Sequence, residues 1–440
     1  MSSLRVVLLC SLLSFFGSGL FSQNTPLYFP PLVGSAWQTI PPASLGFCPE
    51  RIDSLYHYLE ITHTKSFILL KDGKIVLEHY FDAFTQDSLW YWASAGKSLT
   101  AFLVGQAQEE GLLNIQDTTS KYLGTGWTSC TPAQEAAITI RHQITMTSGL
   151  DDSPVTDDPE PADCTDPACL QYLAPAGTRW AYHNAVYHLV HEVIEEASGL
   201  NINQFTKTRL FDKTGMKGFW IDHIMYGKAR DMARYGLLTL AGGAWNGDTL
   251  LHDQNYLYAM SHPSQTLNPS YGYLWWLNGQ STYMVPGLQL NIPGPLIPNA
   301  PADMFAALGK NDQKIHVVPS KGWVVVRQGN DAGLPGLAGQ VPIAFDNQMW
   351  GYLNTLQCGS VATSEAEASS LKIWPNPSAG DWQIEFPGDV EGWSLYDAQG
   401  RNIQSAGSLR IDGTNLEPGV YTLKVTAAGK VTVQKLMKMK

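Results

Sequence analysis

The sequence predicts an α/β protein of the α+β kind. An antiparallel sheet flanked by helices, with an all-helical region inserted, precedes a small C-terminal β-sandwich. Three observations carry this. Strand-like apolar runs stand at 66–70 and 75–80, and others return at 313–319 and 323–328. The segment 132–235 between them has mostly helical patterning, with a loop at 149–170. Beyond residue 370 the chain turns to short alternating runs punctuated by turn residues, as small sandwiches do. Strands at both ends of a domain imply a sheet that joins its termini around a helical middle.

The elements follow in order. Residues 1–22 read as a signal peptide: Arg5, then an apolar run over 6–16 too short to span a bilayer, then small residues. A Pro-rich entry segment covers 23–47, and the main domain 48–358. Residues 49–62 have helical spacing in Ile52, Leu55, Tyr58 and Leu59. Lys71-Asp72-Gly73-Lys74 is a hairpin turn. Residues 94–111 form a helix with Leu99, Phe102, Leu103 and Ala107 on one face, and 345–356 a closing helix. A small, acidic, polar linker at 359–370 precedes the sandwich at 371–440.

The 440 residues are 44% apolar and 15% charged, so the chain buries a core rather than staying disordered. A net charge of -11 argues against nucleic acid or an anionic membrane as partner. No later segment is long and apolar enough for a transmembrane helix. Fourteen Trp and nineteen Tyr fit an aromatic cleft or simple core packing equally. Export permits disulfides. Cys164 and Cys169 suit a local bridge, Cys48 and Cys358 a staple across the domain, and Cys130 is left over. Spacing alone leaves the pairing open.

Ser94 and Lys97 stand three apart on a helical segment, so the amine reaches the hydroxyl. Serine is a weak nucleophile without a base, and lysine is a base only when burial keeps it neutral. The helix start beside Ser94 favours a developing oxyanion. The same spacing recurs at Ser369 and Lys372 in the linker, by chance. What separates Ser94 is context: an aromatic pair before it, a long apolar helix after it, and Tyr182-His183-Asn184 downstream. His142 reads as structural, and His183 as turned from the pocket. His188, His191 and Glu192 read as a solvated helix face rather than metal ligands, so neither metal nor cofactor is expected.

Several stretches together resemble the serine β-lactamase and penicillin-binding-protein superfamily, in its class C and esterase-like branch that includes 6-aminohexanoate-dimer hydrolase. They are Trp92-Ala93-Ser94-Ala95-Gly96-Lys97-Ser98, residues 138–150, Pro175 to Asn184, residues 229–236 and Tyr271 to Trp276. The resemblance implies Ser94 as the acylated serine, Lys97 as base and Tyr182 as proton shuttle. It implies Asn184 as a cleft residue, and Ala307 or Leu308 as donor of a backbone N–H beside that of Ser94. Trp275 and Trp276 suit a cleft wall and core packing equally. The family's third motif is usually Lys-Thr-Gly or a His variant. The strand expected to carry it runs from Met304 to Asp312 without one, and Lys310 there reads as a turn lysine. That departure favours an esterase or amidase over a β-lactamase or D-alanyl-D-alanine peptidase. A penicillin-binding-type module with little turnover is the rival from another class. Pro375-Asn376-Pro377, Leu395-Tyr396-Asp397, residues 416–421 and the basic tail resemble a type IX secretion sorting domain. The expected partners are a small-molecule or peptide-like ester or amide and the type IX machinery, with the product secreted or held on the outer surface.

Overall fold

The computed structural model describes residues 26–153, 163–334, 343–358, 372–385, 390–397, 400–427 and 430–439. The expected signal peptide and linker lie outside them. The chain forms two compact units, 1–358 and 359–440.

The first unit begins its sheet with a hairpin of β1 (Thr64–Lys71) and β2 (Lys74–Tyr80). Asp72 (φ 50) and Gly73 (φ 83) are both left-handed, as a two-residue type I′ turn requires. Gly73 has a second reason to lack a side chain, since a Cβ would overlap the Tyr28 carbonyl of the entry segment.

Four later strands complete the sheet: β3 (Trp276–Leu277), β4 (Phe305–Gly309), β5 (Gln313–Val318) and β6 (Trp323–Gly329). The order is β2-β1-β6-β5-β4-β3, antiparallel throughout. Strands from the two ends of the unit pair directly, as in Ile68↔Val326 and Leu69↔Val325. The sheet therefore joins the termini as the sequence implies.

Five helices matter below: α1 (Pro49–Ile61), α2 (Gly96–Glu109), α3 (Asn184–Ser198), α4 (Ala229–Leu240) and α5 (Ile343–Asn354). Helix α4 packs on one sheet face so closely that a Cβ on Gly236 would strike Val324 and Ile315. Helix α5 covers the opposite face and meets a buried polar set there. Lys314 lies 2.7 Å from Asp346 and 3.2 Å from Asp312. His316 Nε2 lies 2.7 Å from Asp346, while its Nδ1 accepts from the Trp350 indole at 3.0 Å. Fully buried charges persist only when paired and hydrogen-bonded in this way.

Three departures from the sequence reading have physical causes. The expected helix over 94–111 starts later: Ser94 lies in a 3₁₀ turn, Ala93–Ala95, and α2 begins at Gly96. The middle region is not wholly helical. Gly218–Ile221 and Ile224–Gly227 pair with each other, and the latter also with Trp90–Tyr91. Their hairpin turn uses Asp222 (φ 46) and His223 (φ 63), so the usual glycine signal is missing. A hairpin of Thr282–Val285 and Leu288–Pro293 fills part of 277–303, where the sequence offered no motif.

The second unit contains a three-stranded sheet (Lys372–Trp374, Trp382–Glu385, Arg410–Ile411) and a four-stranded one with Val390–Tyr396 and Gly419–Ala427 at its centre. Trp382, Leu395, Ile411, Leu423 and Leu436 form its core.

Cys48–Cys358 and Cys164–Cys169 are disulfides with Cα–Cα distances of 5.1 and 6.0 Å, and Cys130 keeps a free thiol. The first closes a loop of sequence separation 310, the second one of 5. Constraint of the unfolded chain grows with loop length. Replacing Cys48 and Cys358 by Ser is therefore expected to remove about 2–5 kcal/mol of unfolding free energy. The Cys164/Cys169 double variant should lose much less. Urea titration of both checks the order.

Candidate active site

The Ser94 turn is held from several sides. Trp92 N–H donates to the Met225 carbonyl of the small sheet at 2.8 Å, and Ala93 takes a left-handed φ of 47°. Gly96 lets the small sheet press in: a Cβ there would lie 3.2 Å from Met225 Cβ and 3.3 Å from the Trp220 ring. Gly309, at the end of β4, closes the other side. Its Cβ would come within 2.5 Å of the Trp92 carbonyl and 3.0 Å of the Ala95 nitrogen. Tyr235 on α4 donates to the Ser98 carbonyl at 2.5 Å, tying the start of α2 to the core.

Lys97 Nζ lies 3.0 Å from Ser94 Oγ. The amine is buried over aromatic faces, 4.5 Å from the Tyr187 ring centroid and 5.1 Å from that of Tyr182. Burial pulls its pKa down to about 7, with Asp163 opposing weakly. The pair is thus a hydroxyl beside an amine that is largely neutral above neutral pH.

Tyr182 precedes α3, and its hydroxyl is near enough to Ser94 for the serine to influence its ionisation. Burial raises its pKa above the ordinary tyrosine value, while the Ser94 contact pulls the other way. Its ring stacks on Trp276 at 5.8 Å and 20°, and meets Tyr271 edge-on at 6.3 Å. Trp180 completes this wall against Tyr271 and Trp276. Asn184 is the first residue of α3, and its Oδ1 is buried without a hydrogen-bond partner.

Strand β4 forms the remaining wall. Asn278 N–H donates to the Met304 carbonyl, and Ala306 pairs with Trp276, so both face β3. Backbone direction alternates along a strand, which turns the Ala307 amide toward β5 and those of Leu308 and Lys310 the opposite way. β3 ends at Trp276, leaving that edge uncovered by it from Ala307 onward. The Leu308 side chain shares the strand face of its partner Lys314, under α5. What Leu308 offers the Ser94 side is therefore backbone.

The structure thus brings Ser94, Lys97, Tyr182 and Trp276 together, with Asn184 close in sequence to Tyr182 and β4 on the Ser94 turn. Lys310 stands in the turn Lys310–Asp312 after β4. A Lys-Thr-Gly triplet does occur, at Lys213-Thr214-Gly215. It lies in and after the short helix Asp212–Thr214 rather than on a strand beside Ser94, with Gly215 as the left-handed cap. His142 caps its own helix through Thr139, and His183 Nε2 lies 3.0 Å from the Asp151 carbonyl oxygen. Trp275 packs in the core on Tyr235 and Phe305.

One expectation needs correction. His188 and His191 are not on a solvated face; both are buried, where α3 packs on α2. His191 Nε2 lies 2.8 Å from Thr100 Oγ1 and 3.2 Å from the Tyr187 hydroxyl, and His188 stacks on His223 at 4.3 Å. Burial holds both imidazoles below the ordinary histidine pKa. Among the described residues no group of His, Cys, Asp and Glu is arranged to hold a metal ion. Thr100 and Tyr187 escaped the sequence reading, although the i, i+4 spacing of Tyr187 and His191 puts them on one helix face.

Comparison with known proteins identifies the family and the fold. Residues 63–340 match the beta-lactamase family, and residues 372–439 match the secretion system C-terminal sorting domain. A beta-lactamase of Escherichia coli K12 is 30% identical over 141 residues, covering 31% of this chain and 36% of that protein. Penicillin-binding protein 4* of Bacillus subtilis is 26% identical over 195 residues, covering 38% and 42%. Among solved structures, a candidate 6-aminohexanoate-dimer hydrolase from Bacillus anthracis superposes with a TM-score of 0.56 at 18% identity, over 74% of this chain and 89% of that one. An octameric penicillin-binding protein homologue from Pyrococcus abyssi gives 0.53 at 15%, over 89% and 96%. At these identities the structural likeness concerns the fold.

Lys97 gives a stability prediction with a definite sign. In the unfolded chain it titrates near the ordinary lysine value of 10.5, and in the folded chain near 7. Between those values the unfolded state holds the extra proton, so stability rises with pH; below 7 the full cost of the buried charge is present. Lys97→Met is expected to be more stable than the natural protein at pH 6, by roughly a few kcal/mol, with the gap closing toward pH 10. Thermal melts across that range check it; a variant that is less stable at pH 6 would contradict a depressed pKa.

Proposed function

Because the chain belongs to the serine hydrolase family of beta-lactamases and penicillin-binding proteins, we propose that it hydrolyses ester or amide bonds through an acyl-enzyme on Ser94. The observation that carries this is the buried Lys97 amine 3.0 Å from Ser94 Oγ, with the Tyr182 ring beside the same amine.

Neutral Lys97 takes the Ser94 proton as Oγ attacks the carbonyl carbon. The oxyanion that forms is met by the Ser94 N–H and by an amide on the uncovered edge of β4, that of Leu308 or Lys310 beside Gly309. Tyr182 gives its proton to the leaving alkoxide or amine, and recovers one through Lys97. Water then attacks the acyl carbon, losing its proton to the Tyr182–Lys97 pair, and Ser94 regains its hydrogen as the acid leaves. Asn184 Oδ1, buried without a partner two residues from Tyr182, is the candidate acceptor for a polar group of the substrate.

Substrate choice follows from the β4 wall. Phe305-Ala306-Ala307-Leu308-Gly309 offers no cation where a carboxylate would need one. This supports neutral esters or amides over β-lactams and D-alanyl peptides, which the family match keeps as the second reading. The sorting domain supports export through the type IX route to the cell surface or medium.

p-Nitrophenyl esters, a chromogenic cephalosporin and a D-alanyl-D-alanine peptide, each offered to the mature protein and to Ser94→Ala, decide among these readings. Ester turnover that disappears in Ser94→Ala is expected. Lys97→Ala and Tyr182→Phe should each slow acylation roughly 10²–10⁴-fold. The acidic limb of the rate profile should fall near pH 7, where Lys97 protonates. Turnover that survives Ser94→Ala refutes the proposal, and stoichiometric acylation without turnover supports the binding module instead.

A further inference from the structure

We propose that Tyr187 is a positioning residue, whose ring, locked by Thr100 and His191, holds the Lys97 amine against Ser94. The inference rests on the reading of Lys97 as base and adds residues that the proposed chemistry does not use.

The lysine stem is long and rotatable, so something must aim its end. Ser94 Oγ is a hydrogen-bonding neighbour of the amine, and aromatic faces form the wall around it. The nearer is Tyr187, 4.5 Å from Nζ. The orientation of that ring is itself fixed. Its hydroxyl lies 3.0 Å from Thr100 Oγ1 and 3.2 Å from His191 Nε2, and these two lie 2.8 Å apart. Thr100 is one turn beyond Lys97 on α2, whereas Tyr187 and His191 lie on α3. The triangle therefore couples the helix carrying the amine to the helix that follows Tyr182.

All three residues are buried. Packing alone favours apolar side chains there, because a buried polar set gains little net stability even when satisfied. This one is not fully satisfied: His191 Nδ1 and the neighbouring His223 Nδ1 are buried without partners. The titratable groups facing Lys97 are Tyr182, Tyr187, His188 and His191 at and along α3, His223 from the small-sheet turn, and Asp163 beside the Cys164–Cys169 bridge.

The test is single-turnover acylation by a p-nitrophenyl ester across pH 5–10, on the full chain. Tyr187→Leu should lower the plateau rate about 10–100-fold with KM little changed, because the amine is misplaced. Loss of the ring also removes support for the ammonium, so the acid-limb midpoint should move down by up to about one unit. Tyr187→Phe keeps the ring and should show a smaller rate loss. His191→Leu should match Tyr187→Phe, and His191→Gln, which can still bond the phenol, should recover most of that loss. Wild-type plateau and midpoint in Tyr187→Leu, with Lys97→Ala inactive, overturn this inference alone. Normal acylation by Lys97→Ala overturns the base reading beneath it. If Tyr187→Leu does not fold, the other three variants decide: equal rates in His191→Leu and His191→Gln, with Tyr187→Phe at wild type, overturn the proposal.

Discussion

Taking an amine out of water costs free energy chiefly through its charge; Lys314 offsets that cost with Asp346, whereas Lys97 bears it beside a serine. Lys97 Nζ sits among tyrosine rings with Asp163 as its weak acidic neighbour. A tightly paired carboxylate would have kept the amine charged. Aromatic faces exclude water while leaving the amine free to lose its proton. The arrangement of the surrounding helices follows from keeping that environment dry and in register with Ser94.

Close backbone approaches keep the register. The Ser94 turn is pressed by the small sheet across Gly96 and by β4 across Gly309, so two hydrogens stand where methyl groups would overlap neighbours. The sheet behind β4 is rigid because its central strands are buried on both faces. On the α5 side it is held by Lys314, His316 and Asp346 and not by apolar contact alone. A strand fixed in this way can present an edge amide to the serine without its own side chains taking part.

Much of this was legible in the sequence, for reasons that differ by element. The β1–β2 hairpin announced itself through Asp72-Gly73, because few residue pairs accept two left-handed conformations in succession. The meeting of Ser94 with Lys97, and the place of Tyr182, were legible because residues three apart on a helical segment come together, and because their flanking stretches occur in the order of a known family. The small sheet was not legible, since Asp222 and His223 turn its hairpin without glycine. His188 and His191 were misread as solvated because polar residues on a helix look alike whether they face water or another helix. The Lys213-Thr214-Gly215 triplet shows the converse: three letters can match while the backbone there is helical.

The sequence by itself determined the β1–β2 hairpin, the order of the main strands and helices, the serine–lysine spacing and the two-part organisation. These depend on local backbone preference and on hydrophobic period, which act over a few residues. Only the tertiary structure decided what surrounds the amine, which amides β4 turns to the uncovered edge, and which polar side chains are buried. Those depend on contacts between segments far apart in the chain, and no local pattern encodes which distant ring or edge will arrive.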